Sequence, residues 1–125
     1  MREIALDTQA ATAVAILEDG QVTGRAHNDS VRHHAESITP LVRDALAAAG
    51  LPPVLAEAGI DRILVGTGPA PFTGLRSGLV SARVLARVAG VPTYGVCSLD
   101  VIARQGLDLL ARDMRVYAIA DARRR

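Results

Sequence analysis

Glu18-Asp19-Gly20 separates two short apolar runs, Thr12 to Leu17 and Val22 to Ala26. An Asp-Gly step accepts the positive φ angles of the tight turn whose twist suits two antiparallel strands. The chain is therefore expected to double back on itself at this point. Ile4-Ala5-Leu6, stopped by Asp7-Thr8, is a further apolar run just ahead of the pair. Three adjacent antiparallel strands are the predicted opening of the fold.

The apolar period then changes to that of a helix. Ile38, Leu41, Val42, Ala45, Leu46 and Ala49 recur at helical spacing, and Gly50 is a natural stop. Ser30 or Ala35 stands near the start of this helix, with Pro40 expected in its first turns. Leu51-Pro52-Pro53 reads as a linker, and Val54 to Ala58 has room for one helical turn. Arg62 to Gly66 has Ile63-Leu64-Val65 at its centre, the pattern of a strand buried on both faces. Thr73 is predicted to cap a helix through about Ala89, closed by Gly90-Val91-Pro92. Thr93 to Val96 is the next strand, Ser98 caps a helix through Arg112 with Gly106 as a weak point, and Val116 to Ala120 is a last strand.

Strands separated by helices pair in parallel through right-handed crossovers. The expected fold is α/β, a mixed sheet in which a three-strand antiparallel meander is followed by parallel βα units. This order resembles the ribonuclease-H-like lobe of the actin, Hsp70 and hexokinase architecture. Residues 1–120 would form that lobe, and residues 121–125 would begin a segment leading to a second one.

At 125 residues the chain suffices for one domain, and with half of it hydrophobic a sizeable core is available. Aromatic residues are 2% of the total. The core must therefore be built from Ala, Val, Leu and Ile, and a base-stacking platform for single-stranded nucleic acid is excluded. A net charge of +1 offers no broad field to a phosphate backbone. The run Arg123-Arg124-Arg125 is too short to change that. The single cysteine, Cys97, forms no internal disulfide and suits a reducing compartment. With neither a secretory signal nor a stretch apolar enough to span a bilayer, the expectation is a soluble cytoplasmic domain.

The segment from Gly66 to Gly78, Gly-Thr-Gly-Pro-Ala-Pro-Phe-Thr-Gly-Leu-Arg-Ser-Gly, runs from a strand through a loop into a helix. Glycines there admit close approach of another backbone, and a helix N-terminus presents free N–H groups to an anion or a carboxylate. Read alone, the loop is either a tight strand-to-helix turn, the commoner case, or an anion or partner contact. It is neither a Walker loop nor the dinucleotide fingerprint, because the residues and spacing differ.

Asp7-Thr8 at the end of the first strand occupies the place where a nucleotide-binding protein can hold metal and phosphate. No glycine follows it, however, so an acid that satisfies turn N–H groups is the alternative reading. Asp7, Thr8, Gly66 and Gly68 are the candidate nucleotide contacts. His33 and His34 are adjacent and point apart, His27 is distant, and Cys97 is alone, so no metal site is expected. Ser77, Ser81 and Ser98 lie in no nucleophile elbow. On the helix after the loop, Gly74, Gly78, Ala82 and Ala86 form a stripe of small residues, Val80, Val84 and Val88 a second apolar stripe, and Arg76, Arg83 and Arg87 a charged one. Such a helix packs on the sheet and on something else, which is either the first helix of the same domain or a partner.

Gly68, Pro69, Phe72, Thr73, Gly74, Leu75, Arg76 and Gly78 match the Gly-Pro-Gly-Ser-Phe-Thr-Gly-Leu-Arg-x-Gly signature of the TsaB (YeaZ-like) family. Ala70 and Pro71 replace its Gly-Ser. The opening Ile4 to Thr8, the segment Arg32 to Pro40, the stretch Val91 to Leu99 and the segment Ala120 to Arg124 also resemble that family, in order. The resemblance implies a non-catalytic subunit of the machinery that makes threonylcarbamoyladenosine in tRNA. Its implied partners are a TsaD-type catalytic subunit and a TsaE-type ATPase. ATP is used by the complex, no cofactor is bound by this chain, and tRNA is met only through the complex. The catalytic paralogue carries His-x-x-x-His after the strand equivalent to Tyr94-Gly95-Val96, where this chain has Ser98-Leu99-Asp100-Val101-Ile102. The family also implies a helical face shared by homodimer and heterodimer, with Ile38, Leu41, Val42, Leu75, Arg76, Leu79 and Arg83 as the expected contacts. The alternatives are an ATP-binding enzyme of the actin-like superfamily and a metallopeptidase-like protein.

Overall fold

The computed structural model describes residues 1–29, 34–110 and 113–120. Strands β1 (Arg2–Asp7), β2 (Thr12–Glu18) and β3 (Gln21–Asn28) are followed by helix α1 (His34–Ala48) and a 3-10 turn at Leu55–Glu57. Strand β4 (Arg62–Gly66), helix α2 (Phe72–Ala89), strand β5 (Thr93–Val96) and helix α3 (Ser98–Leu109) complete the order. The strands form one five-stranded sheet in the order β3-β2-β1-β4-β5. β1 pairs antiparallel with β2, and β2 with β3, whereas β1–β4 and β4–β5 are parallel. The β2–β3 turn has Asp19 at φ 50° and Gly20 at φ 79°, the double positive φ that an Asp-Gly hairpin requires.

The two faces of the sheet differ. Ile4, Leu6, Val14, Ile16, Ile63 and Val65 point to one side and are buried there. α1 and α2 lie side by side on that face, α1 against β2 and β3 and α2 against β4. Ile38, Leu41, Val42, Ala45 and Leu46 of α1, with Ala82 and Ala86 of α2, close the core. Contact between α1 and the hairpin is close. A β-carbon at Gly24 would run into the backbone of Ala45 and Ala49, which is why a residue without a side chain stands there. The opposite face carries Ala5, Ala13, Ala15, Leu64 and Tyr94, which the strand pairing aligns, and none of these is fully buried.

Several local expectations are corrected. Thr73 does not cap α2: the helix begins at Phe72 after Pro71, with no side-chain cap. Ser98 is not the cap of α3 but its first helical residue, because its hydroxyl is drawn to β1 instead. Pro40 lies in the second turn of α1, within the first turns as expected and on the exposed side. α3 ends at Leu109, and Gly106 lies within it; Arg112 and Ser30 fall outside the described residues. Val116 to Ala120 form no strand. Tyr117 and Ile119 are 81% and 87% exposed. A strand holds only when its N–H and C=O groups meet a neighbouring strand, and among the described residues this segment has none.

Candidate functional site

The C-terminal ends of the parallel strands β1, β4 and β5 converge on one hydrogen-bonded knot. Ser98 Oγ donates to Asp7 Oδ2 at 2.6 Å, and the Gly68 N–H donates to Ser98 Oγ at 3.2 Å. The Ser98 N–H returns to the Gly68 carbonyl at 3.0 Å, and the Thr67 N–H donates to the Val96 carbonyl at 2.8 Å. Asp7 Oδ1 accepts the Gln9 N–H at 2.7 Å. Thus β1, the β4–α2 loop and the β5–α3 junction are tied through a serine that is 2% exposed. Gly66 must be glycine here, because a β-carbon would overlap the Asp7 carboxylate. Gly68, at φ 84°, has the left-handed backbone that glycine accepts without strain.

Thr8 ties the same strand end to α2. Its hydroxyl donates to the Gly74 carbonyl at 2.8 Å, and a β-carbon at Gly78 would strike that hydroxyl. The glycine-rich segment is therefore a tight strand-to-helix passage in which Gly78 lets α2 settle against Thr8 at the end of β1. Asp7, Thr8, Gly66 and Gly68, the candidate nucleotide contacts, are brought together, but each oxygen of Asp7 already receives a donor from the chain. Among the described residues no group of three His, Cys, Asp or Glu side chains is placed to hold a metal ion. His27 stands on the surface 4.0 Å from Asp29; His33 lies outside the described residues.

The helical face is rearranged relative to the expected contacts. Ile38, Leu41 and Val42 are 1%, 8% and 3% exposed and belong to the core of the chain itself, so they have no surface for a partner. Leu79 packs against that core and Leu75 is half-buried. The small-residue stripe of α2 also faces inward, with Ala82 at 0% and Ala86 at 4%. What α2 turns outward is Val80, Val84 and Val88, 56%, 57% and 60% exposed, with Arg76 one turn ahead of them and Arg83 and Arg87 along one side. The four-residue spacing of the valines was the sequence signal for this face, and burial separates it from the stripe of small residues. Ser98, by contrast, had no local signal, because its partner is 91 residues away.

The family described as TsaD: tRNA N6-adenosine threonylcarbamoyltransferase matches residues 23–125. The chain belongs to this family, as a TsaB-like member. An uncharacterized protein of Mycobacterium tuberculosis is 41% identical to this TsaB-like chain, covering 98% of the chain and 54% of that protein. The tRNA threonylcarbamoyladenosine biosynthesis protein TsaB of Escherichia coli is 38% identical, with 98% and 51% covered. The solved structure of YeaZ from Pseudomonas aeruginosa superposes with a TM-score of 0.74 at 32% identity, over 86% of this chain and 48% of that one. The TsaB-like chain thus spans about half the length of the curated relatives it matches.

Proposed function

We propose that this chain forms the first lobe of a non-catalytic subunit of tRNA threonylcarbamoyladenosine biosynthesis and that it binds a TsaD-type catalytic subunit through the outer face of α2. The observation that carries this reading is the exposed Val80–Val84–Val88 stripe flanked by Arg76, Arg83 and Arg87. Apolar side chains repeated along one exposed helix face, rimmed by charge, suit packing against a second pair of helices. The names of the TsaB relatives and the matched family support the assignment to this modification. A homodimer would use the same face, so self-association and partner binding compete. Residues 1–120 constitute a ribonuclease-H-like lobe of the actin and Hsp70 kind, a reading supported by the strand order β3-β2-β1-β4-β5.

A scaffold role is supported by the engaged Asp7 carboxylate and by Ser98-Leu99-Asp100-Val101-Ile102 where the catalytic paralogue carries its histidine pair. The subunit binds no cofactor of its own, a TsaE-type ATPase joins the complex, and tRNA is met only there. The complex works in the cytoplasm; no helix among the described residues is long and apolar enough to cross a membrane.

Light-scattering mass of the chain, alone and mixed with a TsaD-type subunit, tests the reading. Val84→Arg places a charge in the centre of the outer stripe without touching the core, unlike a change at Leu79. Self-association that gives way to a heterodimer on mixing, with both lost in folded Val84→Arg, is the expected result. A heterodimer that forms equally well with Val84→Arg would overturn it.

A further inference from the structure

The valine stripe of α2 does not discriminate between occupants. Val80, Val84 and Val88 offer the same apolar surface to a second copy of this chain as to another protein. The charges beside them do discriminate. α2 contains no Asp or Glu. Arg83 and Arg87, one turn apart on the same side of the stripe, are both exposed. Neither forms an ion pair among the described residues. The exposed charges of the neighbouring helix α1 are Glu36, Arg43 and Asp44, and none of them pairs with either arginine.

Symmetry makes this one-sided row consequential. A contact between two copies related by a two-fold axis presents the same patch from both sides. Where α2 crosses α2 antiparallel with Val84 near the axis, the axis carries the arginine row of one copy to the same flank as the row of the other. Arg83 and Arg87 of both copies then gather along one edge, with no acid on either α2 to separate them. Burial of the valines draws the copies together while the guanidinium groups push them apart. Like charges placed opposite each other across a contact suppress the wrong partner. A helix that carries Asp or Glu beside its own apolar residues meets the same row favourably.

We propose that Arg83 and Arg87 select the occupant of the outer face of α2: they oppose a second copy of this chain and favour a partner whose docking helix carries acidic residues alongside its apolar stripe. The inference rests on the docking role of that face given above and adds the chemistry of what docks there.

The test is the salt dependence of two equilibria, measured by analytical sedimentation: self-association of the chain, and its binding to a TsaD-type subunit. Each is read at about 50 mM and about 500 mM NaCl, across which exposed charges pass from weak to strong screening. Added salt is expected to tighten the homodimer and weaken the heterodimer, each by about fivefold or more. Arg83→Gln combined with Arg87→Gln changes exposed positions only. At low salt this variant is expected to self-associate at least about tenfold more tightly than the parent, to bind the TsaD-type subunit at least about tenfold more weakly, and to lose both salt slopes. Arg83→Glu with Arg87→Glu, mixed with the parent, should form a mixed dimer more readily than either chain forms its own. A parent homodimer that weakens with salt overturns the proposal, because Glu36 or Asp44 of the second copy would then be meeting the arginines. So does a heterodimer whose affinity and salt slope are unchanged in the glutamine variant. Val84→Arg tells the two failures apart. If it breaks the heterodimer and the glutamine variant does not alter it, the face docks the subunit but charge does not select it. If Val84→Arg leaves the heterodimer intact, the docking reading fails and the selection falls with it.

Discussion

Ser98 at the start of α3 donates its hydroxyl proton to Asp7 at the end of β1, 2.6 Å away across 91 residues of sequence. The same oxygen accepts the Gly68 N–H, so one buried hydroxyl holds the ends of three elements in register. A hydroxyl that both donates and accepts leaves two groups unpaired when it is removed. Ser98→Ala is expected to lower stability by about 1–3 kcal/mol in urea unfolding, the cost of leaving buried polar groups without partners. An unchanged unfolding midpoint would show that water replaces the serine at no cost.

Gly78 and Thr8 provide a coupled pair. The β-carbon of Gly78→Ala would meet the Thr8 hydroxyl, which is held on the Gly74 carbonyl, so the single change is expected to cost about 1–3 kcal/mol by overpacking. Thr8→Ala opens the space. Gly78→Ala should therefore be less damaging in the Thr8→Ala background, giving a non-additive double-mutant cycle. Additive effects would mean that α2 shifts as a body to relieve the contact.

The two sides of the helical layer respond differently to charge. Leu41→Arg puts a guanidinium into the core, where Leu41 is 8% exposed, and is expected to leave no cooperative thermal transition. Val84→Arg changes an exposed residue and should stay within about 0.5 kcal/mol of the parent. Circular dichroism melting of the two variants side by side checks this, and a folded Leu41→Arg would show that the core assignment of α1 is incorrect.

The Met1 amine sits 2.5 Å from Asp19, tying the chain start to the hairpin turn. The hydrogen bond and charge of the amine hold the Asp19 carboxyl below its ordinary value of 3.8. The same hydrogen bond, chiefly, raises the amine above its ordinary 8.0. A lowered carboxyl contributes stability that is complete above its unfolded value and fades as pH falls through the folded one. A raised amine contributes stability that is complete below its unfolded value and fades as pH rises through the folded one. Both groups are fully exposed, so the effect is small. Melting temperatures of the parent chain and Asp19→Asn should differ most near neutral pH and converge in acid and in strong alkali; Asn retains tolerance of the positive φ at this position.

The hairpin, β4 and β5 were legible because their signals are local. Asp19-Gly20 supplies the backbone freedom of the turn, and Arg62 to Gly66 and Thr93 to Val96 are short apolar runs between breakers. α1 was visible from its apolar spacing, and the stop of α2 from Gly90-Val91-Pro92, where Gly90 adopts the left-handed φ of 70°. Ser98 marked the start of α3 to within one residue, but nothing local marked its C-terminal end or the unpaired state of Val116 to Ala120, because pairing depends on whether a neighbour strand exists.

What the sequence determined by itself was periodicity, and hence which residues share a face: Ala82 with Ala86, and Val80 with Val84 and Val88. It also determined the glycine positions along the passage from β4 into α2. Only the tertiary structure decided which face is inside. Ile38, Leu41 and Val42 went to the core, and the valines of α2 to the surface, because the sheet offers one covered face and α2 must present its smallest side chains to it for the Thr8–Gly74 bond to close. Only the folded chain could place Ser98 beside Asp7, since a hydrogen bond has a range of about 3 Å in space and none along the sequence.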